Sequence, residues 1–167
     1  MEILFGFVIT YILVNTLLSG ILKMYSFSHF ALNTYELLNQ KINLVLINFF
    51  SALLIITEIF IPLTILLAGK TSIWNMTILL FIYFFFTIFV IILIFMGKKN
   101  QECNCFGKNI KSNINWLKVS SNILNVIFIS FSFTFEITLH VWHVIIVSLI
   151  LVIYIYIKII IINRKDR

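Results

Sequence analysis

Long apolar runs, broken only by short polar segments, constrain this chain more than any other feature. They cover Ile3–Leu22, Ile42–Ala68, Ile73–Met96, Trp116–Phe135 and Leu139–Ile162. A helix of roughly 20 apolar residues crosses the hydrocarbon core of a bilayer, and a helix is the form that satisfies its own backbone there. The chain has 167 residues, of which 62% are hydrophobic and 11% charged. A soluble domain carries roughly half apolar and a quarter charged residues. A fold of this size leaves too much surface exposed to hide the excess from water. The expectation is an all-α integral membrane protein forming a single membrane domain over residues 1–167. Four core transmembrane helices make the bundle and the last apolar run adds a fifth. The first run lacks a basic leading segment and a small-residue cleavage site, so it reads as a retained helix.

The segments between the runs carry the polarity. Met24–Lys41 mixes Ser26, Ser28, His29, Asn33 and Glu36 with Tyr25, Phe27, Phe30, Tyr35 and Leu37. It is too polar to span and reads as a short interfacial helix lying along the headgroups. The net charge is +6, but no basic amphipathic stripe of the kind that tracks phosphates is present, which argues against a nucleic-acid partner. The charge reports orientation instead. Alternating crossings put Lys23, Lys41, Lys98, Lys99, Lys108, Lys111 and the Arg164–Arg167 tail on one side, with Lys118 and Lys158 near it, and Lys70 alone on the other. By the positive-inside rule the lysine-rich face is cytoplasmic, with the amino terminus outside and the carboxyl terminus inside.

The only two cysteines, Cys103 and Cys105, lie in the most polar loop, 97–115. Cysteines one residue apart point to opposite faces of an extended strand, so a bond between them needs a sharp bend. Departure from relaxed geometry makes such a bond easier to reduce, which suits exchange better than bracing. Asn104 and Gly107 tolerate left-handed backbone angles. Lys98, Lys99, Lys108 and Lys111 surround the pair with a field that favours the attacking thiolate, Glu102 opposes them, and Phe106 can pin the turn to the membrane surface. Idle loop thiols are the plain alternative. A structural zinc site needs four ligands where this loop offers two, so no metal is expected.

Cys103-Asn104-Cys105-Phe106-Gly107 resembles the Cys-x-Cys-Phe-Gly segment of the MauE family, membrane proteins of methylamine utilisation related to the DoxX-like group. Ser19–Lys23, followed by Tyr35-Glu36-Leu37-Leu38, resembles the end of that family's first helix and its Tyr-x-Leu-Leu segment. Glu58 and the Leu66–Gly69 ending resemble the second helix. Trp116–Asn122 resembles the opening of the fourth, with Ser121 where the family commonly has an arginine. The resemblance implies a redox-associated bacterial membrane protein, acting beside a thioredoxin-like partner in maturing a disulfide-containing client. Cys103 and Cys105 would then be the reacting residues, supported by Phe106, Gly107, Glu58, Tyr35 and Lys23.

Glu58 stands inside the second run, where an ionised carboxylate must be paired, protonated or turned inward. It reads as a proton acceptor or quinone-headgroup anchor, or else as a structural hydrogen-bonding partner of Asn15, Thr16, Asn122 or Asn125. Pro62 frees the carbonyl of Glu58 and can shape a pocket there. Tyr35 and Glu36 can cover the mouth near the dithiol, Lys23 reads as a snorkelling anchor, and His140 with His143 as interfacial residues. The preferred function is thiol–disulfide exchange, or support of it. The chain has no second cysteine pair, so electrons must pass to a thioredoxin-like protein or a membrane quinone. Two other functions fit the same residues: a non-enzymatic immunity or export accessory, and a small transporter subunit built around Glu58.

Overall fold

The computed structural model of the chain describes residues 2–101, 103, 112–133 and 138–165. Among the described residues there are six helices: α1 Glu2–Tyr25, α2 Phe27–Leu37, α3 Leu44–Ala68, α4 Ile73–Phe95, α5 Trp116–Phe131 and α6 Val141–Lys165. Three of them, α1, α3 and α4, are long and apolar enough to cross a membrane. The protein is an all-helical membrane protein, as its apolar runs demand, and α2 is the short helix in the polar segment that follows the first run.

α3 and α4 each bury one stripe, while α1 is buried over a broader face. In α1 that face includes Ile9, Ile12, Leu13, Thr16, Ser19 and Lys23; in α3 the stripe is Ile47, Ser51, Ile55, Glu58, Pro62 and Ile65. In α4 it is Met76, Leu79, Tyr83, Thr87, Val90 and Leu93. The spacing of three or four residues keeps these side chains on one helical face. Large apolar residues such as Phe49, Phe60, Phe84, Phe85 and Phe95 point outward. Lipid is as good a solvent for them as a core would be, and the contacts between helices mix Ile, Leu and Val with small and polar residues such as Thr16, Ser19, Ser51 and Thr87.

Contacts along the stripes give the directions. Gly20 of α1 meets Glu58 and Ile59 of α3, while Ile9, Ile12 and Leu13 share a core with Ile65, so α1 and α3 are antiparallel. Gly69 turns α3 into α4 in the left-handed region, at φ 65°, which a residue without Cβ adopts at no steric cost. Phe5 of α1 stacks edge-on against Phe128 and Phe131 of α5, and Val119 at the other end of α5 packs with Val90 and Leu93. Parallel to α1, α6 sets His143 against Gly6 and Phe7 and Val147 and Leu151 against Val14. Lys70 sits at the end of the bundle where Gly69 O accepts from Leu139 N at 2.8 Å. Lys41, Lys98, Lys99 and Lys118 belong with Cys103 to the opposite end.

Candidate functional site: a lysine-held cysteine sulfur above a buried ion pair

A short stem holds Cys103. Asn100 N donates to Ile114 O at 2.8 Å, Ile114 N to Gln101 O at 2.9 Å, and Cys103 N to Ser112 O at 2.9 Å. Asn100 carries the left-handed angle this requires, at φ 69°, a conformation asparagine tolerates better than most residues. Asn115 then caps α5, its side chain accepting from Lys118 N at 3.0 Å. The cap fixes Lys118 in the first turn, and its ammonium reaches back to the stem. Lys118 Nζ donates to Cys103 Sγ at 2.8 Å and to Ser112 Oγ at 3.1 Å. Ser112 Oγ lies 3.1 Å from the same sulfur.

Cys103 is 4% exposed. It belongs to a buried cluster with Leu37 of α2, Val90 and Leu93 of α4, Ile114 of the stem and Val119 of α5. Cys103 is disulfide-bonded. Cys105, Phe106 and Gly107, expected beside it, lie outside the described residues, as do Glu102, Asn104, Lys108 and Lys111. Tyr35 is half-buried and Glu36 exposed on α2, and it is Leu37 that this helix contributes to the pocket behind the sulfur.

Deeper in the bundle is a second polar site. Lys23 Nζ donates to both carboxylate oxygens of Glu58, at 2.6 and 2.7 Å. Lys23 was expected to snorkel to the interface; it is 1% exposed. The reason is the approach of the helices. A Cβ on Gly20, one turn before Lys23, would lie 2.8 Å from Ile59 Cγ1 and 3.1 Å from Glu58 Cβ. With Gly20, α1 lies flush on α3, and the ammonium meets a counter-charge before it can reach water. The rings of Phe30 and Phe86 face the same ammonium, 5.3 and 4.9 Å away, a contact favoured by the ring quadrupole. Nor is Thr16 the partner of Glu58. Its hydroxyl donates to Ile12 O at 2.7 Å and lies 2.8 Å from Tyr83 Oη. The threonine proton is committed to the carbonyl, so Tyr83 is the donor between them. Among the described residues Asn122 Nδ2 is buried without a hydrogen-bond partner.

Phe86 links the two sites, since it faces Lys23 and also packs against the cluster holding Cys103. Lys118 is the residue sequence reasoning passed over. Its signal was the asparagine cap at Asn115, which places the third residue of a helix back over the preceding loop. Among the described residues no three His, Cys, Asp or Glu side chains gather as a metal site would need, and His29 is exposed on α2.

No curated protein and no solved structure matches the chain. A family model described as methylamine utilisation protein MauE matches residues 1–135, which includes α1 to α5, the stem and both lysines described above. By that match the chain belongs to the MauE family, the methylamine utilisation membrane proteins.

Proposed function

We propose that the protein exchanges disulfides at the membrane surface through Cys103 and Cys105, in the maturation of a partner protein. The observation that carries this reading is Lys118 Nζ, 2.8 Å from a cysteine sulfur that is disulfide-bonded. An ammonium beside a sulfur stabilises the thiolate released when the bond opens, and thiolates are the species that attack and leave in exchange. A bond kept only for bracing needs no such neighbour. The family supports the same reading, since methylamine utilisation calls on maturation of a partner.

The step balances as follows. A client dithiol loses two electrons and two protons and closes its disulfide. The Cys103–Cys105 disulfide gains them and becomes a dithiol. Re-oxidation passes the same pair to the disulfide of a thioredoxin-like partner or to a membrane quinone, giving a dithiol or a quinol. The positive-inside rule applied to five crossings would place the pair on the cytoplasmic side, where thiols are kept reduced, so its oxidised form there requires continuous re-oxidation.

The test uses the full chain in lipid nanodiscs with a reduced dithiol peptide. The expected result is one disulfide transferred per chain, lost when Cys103 and Cys105 are both replaced by serine. Equal oxidation of the peptide by the double-serine protein would refute the reading. Thiol labelling of intact against lysed cells locates the pair.

A further inference from the structure

We infer that Ser112 is the second donor to the reacting sulfur, resting on the exchange reading above: it anchors the Lys118 ammonium beside Cys103 Sγ while the disulfide is closed, and it shares the thiolate with that ammonium once the bond opens.

The protons settle who donates to whom. Cys103 is disulfide-bonded, so its sulfur has no proton to give. A lysine ammonium has donors only and cannot accept. Of the atoms in contact, Ser112 Oγ alone can do both. It accepts from Lys118 Nζ at 3.1 Å and turns its own proton to Cys103 Sγ at 3.1 Å. Lys118 Nζ also donates to that sulfur at 2.8 Å. Two donors thus converge on one sulfur. A hydroxyl that accepts from a cation is itself a stronger donor, because linked hydrogen bonds polarise one another.

This convergence is poorly matched to the closed bond. A neutral sulfur is a weak acceptor, and an ammonium facing it alone would have little to hold it there. Ser112 supplies the better acceptor. The backbone fixes that acceptor in turn, since Cys103 N donates to Ser112 O at 2.9 Å and the bonds from Asn100 and Gln101 to Ile114 tie the rest of the stem. The hydroxyl therefore stands in place before any charge appears, and donors placed in advance stabilise a developing anion without reorganising.

Reduction of a disulfide makes each of its sulfurs leave once, so Cys103 Sγ is a leaving atom whichever sulfur is attacked first. At that step a thiolate forms a bond to the sulfur then joined to Cys103, the bond to Cys103 breaks, and its electron pair stays on Sγ. No oxidant beyond the exchanging disulfide is consumed. The new charge meets the ammonium and the hydroxyl at contacts already made, and a better-stabilised thiolate leaves faster. Ser112 is thus a catalytic group, touching the reacting atom.

The experiment uses full-length Cys105→Ser protein in nanodiscs, which keeps Cys103 as its one thiol. The far-ultraviolet absorbance of the thiolate is followed against pH, with the double-serine protein subtracted, so no reagent has to reach a buried sulfur. Adding Ser112→Ala should raise the pH of thiolate formation by about one unit, the loss of one hydrogen bond to the charged form. Ser112→Thr, which keeps the hydroxyl, should return it. An unchanged midpoint in Ser112→Ala overturns the assignment. A raised midpoint that Ser112→Thr leaves raised also overturns it, because the cause is then packing. The titration involves no client, so its failure is distinct from failure of exchange itself, which shows as peptide oxidation surviving the double-serine change.

Discussion

Two lysines in this protein meet two buried partners of different chemistry. Lys23 meets Glu58 with both carboxylate oxygens engaged, two rings over the ammonium and a glycine-tight helix contact beside it. Lys118 meets Cys103, an atom whose bond can open. The first pair has its charges matched in the resting protein, so it holds α1 to α3. The second lysine faces a sulfur that carries no formal charge until the bond breaks. Its interaction is stronger after the bond opens than before, which is the condition for accelerating a step. A buried lysine beside a carboxylate ties two helices together, and on the proposed exchange reading a lysine beside a sulfur favours the opening of its bond.

The comparison breaks most decisively at the cysteines. Cys103→Ser with Cys105→Ser should abolish disulfide transfer to the peptide while circular dichroism and detergent-solubilised folding stay as in the parent. A collapse of the helical bundle in that variant would mean that the disulfide is structural. The next effect is at the deep pair. Lys23→Met alone leaves a buried carboxylate without its counter-charge, and breaking such pairs costs about 3–5 kcal/mol. Unfolding in graded denaturing detergent should show that loss, and a second change, Glu58→Met, should recover most of it. No recovery would mean that the pair does more than match charge.

A smaller effect is expected at Gly20→Ala. The added methyl meets Ile59 at 2.8 Å and the backbone carbon of Glu58 at 3.3 Å, and overpacking of this kind costs about 1–3 kcal/mol. It should weaken the Lys23–Glu58 pair without changing peptide oxidation. Lys118→Met sharpens the contrast from the other side, with slower exchange at unchanged stability; a large stability loss there would make Lys118 a second structural lysine. Smallest is Tyr83→Phe, which removes one donor to Thr16 and should cost about 0.5–1.5 kcal/mol in the same unfolding assay.

Much of the fold was legible from residue order because lipid imposes simple rules. Apolar runs become helices, since backbone groups in hydrocarbon must pair within the segment. Asn43 and Asn115 cap the helices that follow them, and Gly69 closes α3; all three are local effects that local residues announce. The candidate site was legible only in part. Cys103 stood out as one of two cysteines, but the basic residues named around it were its near neighbours in the loop, whereas the ammonium at its sulfur arrives from α5, 15 positions away.

From its sequence alone this chain is determined to be helical and membrane-embedded, with its two cysteines in a polar segment. Those properties follow from hydropathy and residue type, which act residue by residue. Only the tertiary structure decided that Lys23 turns inward to Glu58, 35 positions on, and that Lys118 turns back to Cys103. A lysine stem is long and flexible enough to reach water or a buried partner from the same backbone position. Which one it takes depends on how closely the neighbouring helix approaches, and that distance is set by packing.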